Sequence, residues 1–283
     1  MRTSAQHIDA TQATWAADRP RDTRWVQYLQ TTRANLFLAE TPAGLSAASH
    51  ADFTNGDGAE LQDRTSRPAK MRALASSSAL AANFFDAWRD AEKGALTEAL
   101  EFPSAIASLR FEYKPQGYPV RPRSPNLDLL LVLADGSGVG VESKFSEPYR
   151  STDGWSGLAA RYFPASGQLW DSVDMPGAQR LAERFRPDWI HLDVPQLLKH
   201  LLGLASDPAC PSILLYLWFD TGLPDARDHQ AEIERFGNDV SGGRVQFRAI
   251  SYQQVFGRIG REDEPVPGWH DYMQTRYFPD AAG

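Results

Sequence analysis

Apolar residues change their spacing along this chain, and the changes predict its elements. Trp25, Tyr28, Leu29, Leu36 and Phe37 recur at intervals that build one helical stripe, predicting a helix over residues 25–40. Thr41-Pro42-Ala43-Gly44 supplies its stop. The polar stretch HADFTNGDG reads as a loop leading to Glu60, and residues 60–74 return to helical spacing, interrupted near Ser66 to Pro68. Ser76, Ser77 and Ser78 offer N-cap oxygens to a helix through ALAANFFDAWRDAEKGALTEAL. The middle of the chain alternates instead. ASLRFEY (107–113) has the period of a strand, and NLDLLLVLADGSGVGVESKF (126–145) reads as two strands around a turn. Helices are predicted near Pro176, over 194–205 and over 228–239. Strands follow from SILLYLWFD, ending at Asp220, and from VQFRAISY after Gly242-Gly243. A last helix near 253–259 precedes a Pro-rich tail, and residues 1–22 read as polar and frayed. Helices before, between and after strands predict an α/β class with a central mixed sheet flanked by helices. The corresponding division is a helical extension (1–50), a main domain (51–260) and a tail (261–283).

Composition narrows the class. With 283 residues, 42% hydrophobic and 23% charged, the chain can bury a substantial core. No apolar run reaches the roughly 20 residues of a membrane span. The first residues lack the apolar core of a secretory signal. One cysteine, Cys210, excludes an internal disulfide framework and fits a reducing cytoplasm. Six scattered histidines and that lone cysteine do not make a zinc site. The net charge of −7 argues against a protein that coats nucleic acid by bulk electrostatics. It suggests instead that such a substrate is engaged locally, through a partner, or through a homodimer that joins basic surfaces. Locally the sign reverses: between 110 and 123 lie Arg110, Lys114, Arg121 and Arg123 against only Glu112.

That basic stretch leads into the most informative segment. Ala134-Asp135-Gly136-Ser137-Gly138 is a turn sequence. Pairing Leu133 with Val139 across it would set Lys144 opposite Asp128, with Glu142 one pair further in. Alternation puts Glu142 and Lys144 on one face and Val141, Ser143 and Phe145 on the other. Charges gathered at the end of an apolar hairpin cost free energy unless they are paired or bind a metal. Two carboxylates can hold Mg²⁺, which takes oxygen ligands and retains waters. Such an ion stabilises charge on a scissile phosphate and acidifies bound water. A neighbouring lysine can orient or help deprotonate that water, or neutralise developing charge. The alternative for these residues is a set of solvated charges on an edge hairpin.

Asp128 with Glu142-Ser143-Lys144 resembles the signature of the PD-(D/E)XK nuclease superfamily, in which an acid begins one strand and an acid-X-Lys tripeptide lies on the next. Pro125 stands three residues before Asp128 rather than beside it. GDGAELQD, KMRALASSSALAANFFDAW, ESKFSEPY and ISYQ are in turn similar to a bacterial family of restriction-endonuclease-like proteins, over most of residues 50–255. The resemblance implies a restriction-endonuclease-like core. It also implies a Mg²⁺-dependent nuclease, with Mn²⁺ as a substitute, acting on DNA, with RNA as the other candidate. Asp128 and Glu142 would be metal ligands and Lys144 catalytic. The further catalytic and metal-ligating acid that relatives supply from a first core helix would here be Glu60, whose alternative is a carboxylate favoured at a helix N-terminus. Gln196 and Lys199, on the helix after the acid-X-Lys strand, become candidates for backbone contact beside Arg121 and Arg123. The rival function is an inactive nuclease fold that binds nucleic acid or a protein partner.

The remaining features carry less. Gly136-Ser137-Gly138-Val139-Gly140 lies between strands, so it is a turn and not a phosphate loop. Trp155, Tyr162, Phe163 and Trp170 with Arg161 suit either a base-stacking surface or core packing.

Overall fold

The computed structural model describes residues 2–37, 44–56, 58–121, 124–150, 155–164, 168–209 and 211–279. In chain order the regular elements are α1 (Ser4–Trp15), α2 (Ala47–Asn55), α3 (Ser77–Phe85), α4 (Gly94–Ala99), β1 (Ile106–Tyr113), β2 (Leu127–Leu133), β3 (Gly138–Lys144), α5 (Gln168–Asp171), α6 (Pro176–Glu183), α7 (Val194–Ser206), β4 (Pro211–Trp218), α8 (Pro224–Asp239), β5 (Gln246–Ser251), α9 (Tyr252–Arg258) and α10 (Trp269–Arg276). The strands form one mixed sheet in the order β1-β2-β3-β4-β5. The first two pairings are antiparallel and the last two parallel.

This topology follows from the connections. β2 and β3 are joined by a tight turn, whereas parallel neighbours need long crossovers. Here α7 lies within the crossover from β3 to β4, and α8 forms the one from β4 to β5. β4 is covered on both faces, which is why Ile213-Leu214-Leu215-Tyr216-Leu217-Trp218 is a continuous apolar run. Alternation along β3 sorts the layers. Glu142 faces α7, where it meets His200. Ser143 faces the other way and shares a hydrogen bond with the Tyr252 hydroxyl of α9 at 2.7 Å. On that second side Phe84 of α3 packs edge-on against Tyr252 and against Trp269 of α10. Fold class and mixed sheet therefore stand as read from the sequence.

The first hundred residues and the C-terminal segment do not follow the expectations. Among the described residues of 25–40 the only helical piece is a 3₁₀ turn, Arg33–Asn35. Trp25 and Tyr28 flank a turn, and Tyr28 bridges to Ala73, although Leu29 and Leu36 are buried as their spacing suggested. The predicted stop at 41–43 lies outside the described residues. Residues 1–22 instead carry α1, started by a capping box between Thr3 and Gln6. The first six residues of the expected loop HADFTNGDG, His50 to Asn55, are the end of α2. Residues 60–74 are turns with one 3₁₀ turn, Lys70–Arg72. The long helix after the serines is broken into α3 and α4. Asp86, at the break, is buried and accepts hydrogen bonds from Ser46 and Ser49, which draws it into a tertiary contact. The Pro-rich tail contains α10, whose Trp269 and Met273 are fully buried.

One side chain ties these misread segments together. Arg276 is wholly buried, with no carboxylate among its partners in the described residues. Nε donates to Gln12 Oε1 at 3.0 Å, Nη1 to the Tyr272 hydroxyl at 2.8 Å and to the Asn35 carbonyl, and Nη2 to Asn35 Oδ1 and to the Leu74 carbonyl at 3.4 Å. Its guanidinium lies 3.9 Å from the Trp15 ring centroid. The five N–H donors of an arginine are matched here by neutral acceptors and an aromatic face. α1, α10 and the segment around Leu74 are fastened at one point. No helix among the described residues is long and apolar enough to cross a membrane.

Candidate active site

The hairpin register differs from the expectation by two residues. Leu129 pairs with Val141 and Val132 with Gly138, so continuing the ladder sets Asp128 against Glu142 rather than Lys144. The turn is tighter than assumed. Gly136 takes φ of +85°, its N–H reaches the Leu133 carbonyl at 2.9 Å, and the Leu133 N–H reaches the Ser137 carbonyl at 2.8 Å. A two-residue shift preserves the face of every side chain. The charged residues therefore still gather, in a closer arrangement than predicted.

Asp128 Oδ2 accepts the Ser143 N–H at 2.7 Å. Glu142 is 2% exposed. Its Oε1 lies 2.6 Å from Lys144 Nζ and its Oε2 3.1 Å from His200 Nε2. The histidine contact is close, yet it lacks the alignment of a hydrogen bond, and Nδ1 of the same ring is buried without a partner. Lys144 Nζ also donates to Gln196 Oε1 at 3.0 Å. Gln196 is placed by the start of α7, where Asp193 caps the helix by accepting the Gln196 N–H at 2.9 Å.

Glu60 reaches the same place from a turn, not from a helix. It is 4% exposed. Its Oε1 accepts from Lys70 Nζ at 2.7 Å and its Oε2 from the Ser78 hydroxyl at 2.9 Å. Of the three serines, Ser76 caps α3 and Ser78 holds Glu60. Beside it stands a carboxylate that sequence reasoning passed over. Glu112 is half-buried on β1, with φ of +51°, a conformation rare for a residue with a side chain. A Cβ added at Gly58 would stand 2.8 Å from Glu112 Oε2 and 2.9 Å from Glu60 Oε1, so only a glycine leaves both carboxylates in place. The one signal of Glu112 in the sequence was its isolation as the sole acid in a basic stretch.

The electrostatics separate these acids. Burial first, and Glu142 second, push Asp128 well above the usual carboxylate range. Burial works against ionisation of Glu142 too, but Lys144 and then His200 outweigh it and hold the carboxyl below its ordinary range. Burial disfavours the Lys144 charge, yet Glu142, Glu147 and Asp128 together raise its pKa above the ordinary value. Glu112 is pushed up to about 7, by burial first and by Glu60 second.

Asp128, Glu142, Lys144, Glu60 and Gln196 all line one cleft of 830 Å³. Arg21, Arg67, Lys70 and Arg150 stand on its walls, and Val26 to Tyr28 with Ala73 to Ala75 form one side. Other candidates fall elsewhere. Lys199 lines a separate hollow with Trp155, Arg161 and Tyr162. Arg121 is exposed and borders neither. Arg123 and Cys210 lie outside the described residues. Tyr162 and Trp170 are core residues joined by a hydrogen bond from Trp170 Nε1 to the Tyr162 carbonyl at 3.0 Å, so they offer no stacking surface.

The donor set suits a hard cation. Asp128 and Glu142 supply oxygen only, and their mutual repulsion is what a divalent ion relieves. Asn126 Oδ1 on the same cleft wall is buried and accepts no hydrogen bond. Among the described residues no three His, Cys, Asp or Glu side chains close around one point. An ion would thus rest on two carboxylates and retain much of its water, as Mg²⁺ commonly does.

With this geometry established, comparison with known families is decisive. The family described as restriction endonuclease associating with ARP matches residues 9–278. The chain belongs to this restriction-endonuclease-like family. The match takes in the second half of α1, the whole sheet and α10. No curated protein and no solved structure matches the chain.

Proposed function

We propose that this restriction-endonuclease-like protein is a Mg²⁺-dependent nuclease that hydrolyses phosphodiester bonds in DNA in the cytoplasm, with Mn²⁺ as a substitute. The observation that carries the reading is the gathering of Asp128, Glu142, Lys144 and Glu60 on one cleft, whose walls also carry Arg21, Arg67, Lys70 and Arg150 against Asp9 and Glu147. Asp128 and Glu142 would hold the ion, with Glu60 as a further acid beside them. When bound, such an ion supplies charge stabilisation at the phosphate and acidifies a coordinated water. Without an ion, Glu142, Glu147 and Asp128 favour the charged form of Lys144. As a cation it would donate to a phosphate oxygen or to the attacking water. Gln196 fixes its direction. Arg21, Arg67, Lys70 and Arg150 are suited to the flanking backbone, where cations position a strand without reading its sequence. The choice of DNA, and a partnership with ARP, rest on the family description.

One observation favours the rival reading of a binding module. Lys144 and His200 engage both oxygens of Glu142, as they would in a closed structural pair. Purified protein, Asp128→Asn and Glu142→Gln should be incubated with plasmid and linear DNA in Mg²⁺, Mn²⁺ or chelator. Cleavage by the wild type in either metal, lost in both variants while circular dichroism shows each still folded, is the expected result. Unchanged cleavage by Glu142→Gln sinks the assignment, and DNA binding without turnover in either metal establishes the rival.

A further inference from the structure

A second hollow, of 320 Å³, lies between α6 and α8 and shares no lining residue with the catalytic cleft. Arg180, Arg184, Arg186 and Arg235 line it with Leu181 and Trp189, against a single acid, Asp239. In a chain of net charge −7 this is a local inversion of sign. Arg180, Arg184 and Arg186 are exposed, and no hydrogen bond or ion pair engages their guanidinium groups among the described residues. Arg180 and Arg184 stand four apart at the end of α6, where like charges repel. A helix C-terminus favours cations and accounts for Arg184. It does not account for Arg186 and Arg235, which arrive from other segments.

The surface is firmly built. Glu232 of α8 accepts three consecutive backbone N–H groups, from Ile190, His191 and Leu192, at 2.8, 2.9 and 2.8 Å. Arg235 lies 4.0 Å from the Trp189 ring centroid and pairs with Asp188 at 3.2 Å. The Trp189 Nε1–H is buried in this wall with no acceptor. A rigid concavity that offers unpartnered guanidinium forks is matched by an extended array of anionic oxygens.

We infer that the groove between α6 and α8 binds the phosphodiester backbone of nucleic acid, as a second contact that shares no lining residue with the catalytic cleft. The choice of nucleic acid as the polyanion rests on the nuclease reading above, but its test does not depend on turnover.

Binding of a labelled 30-base-pair duplex DNA to the full chain should be followed by anisotropy in chelator, across a salt series. Arg180→Ala/Arg184→Ala/Arg186→Ala should lose roughly 0.9 of salt slope per lost phosphate contact, about 2.7 in all, and bind about tenfold or more weakly at moderate salt. Arg184→Glu alone should weaken binding more than Arg184→Ala, and melting curves check that each variant is folded. Unchanged affinity and slope in the triple variant overturn the inference, even if the wild type cleaves DNA. Weakened binding in the triple variant upholds the groove even if the wild type never cleaves, in which case the nuclease reading falls alone. Equal loss of polyglutamate binding would reassign the groove to an acidic protein and overturn the nucleic-acid assignment.

Discussion

Glu112→Gln is a nearly isosteric change that should stabilise this protein in a pH-dependent way. The carboxyl moves from an ordinary 4.5 to about 7 in the folded chain. A group whose folded pKa is raised binds its proton more tightly in the folded state. It contributes stability that is full below 4.5 and lost progressively as pH rises to about 7. The shift of about 2.5 units corresponds to roughly 3 kcal/mol at 1.36 kcal/mol per unit. Glu112 is only half-buried, so partial solvation reduces this to about 2 kcal/mol. Above pH 7 the ionised wild type faces Glu60 across the small space left by Gly58, whereas glutamine carries no charge. Urea unfolding in chelator should therefore find Glu112→Gln about 2 kcal/mol more stable than wild type at pH 8 and equal to it at pH 4.5. Chelator matters because a cation near Glu60 would draw the same carboxyl into its charged form. A difference that is the same at both pH values, or a wild type more stable at pH 8, would refute the reasoning.

Two further perturbations probe the buried charges. Arg276→Met leaves Gln12 Oε1, Asn35 Oδ1 and the Leu74 carbonyl without this donor, while the Asn35 carbonyl keeps Asn83 and Tyr272. It should cost roughly 4 kcal/mol in urea unfolding, given about 1–3 kcal/mol for each buried unsatisfied group and some relaxation; a loss under about 1 kcal/mol contradicts the described network. Lys144→Met strips Glu142 of its main counter-charge. In the wild type the depressed Glu142 pKa adds stability above about 4.5 that is lost as pH falls. The variant should be less stable by about 3–5 kcal/mol at neutral pH and by much less near pH 3. Melting temperatures of both proteins from pH 3 to 7 check this, and parallel curves would be the wrong outcome.

The legible part of the chain was the sheet and the helices that cross it. β2, β3 and β4 are buried on both faces, so apolar residues fill them regardless of register, and α7 has a strong leucine stripe. The site was legible to the same extent, because Asp128, Glu142 and Lys144 are polar intrusions into apolar strands. The register was not, since Gly136 folds a tighter turn than its neighbours require. α1 escaped detection because its buried positions include Ser4 and Gln12, held by tertiary hydrogen bonds to Asp225 and Arg276. Glu60 was found by resemblance but assigned to the wrong element. Glu112 was invisible because a positive φ, which no composition announces, turns it toward Glu60.

The Arg276 clasp has a consequence for when the cleft can exist. Asn35 and Arg276 are 241 residues apart, and the segment they hold at Leu74 is part of the cleft wall. Contacts of such long range form late, because the intervening chain must first be brought to order. During translation the sheet carrying Asp128, Glu142 and Lys144 emerges before α10 does. A ribosome-bound chain can thus display its charged hairpin while the opposite wall is still unfastened. The protein acquires a finished cleft only after α10 has been synthesised and docked.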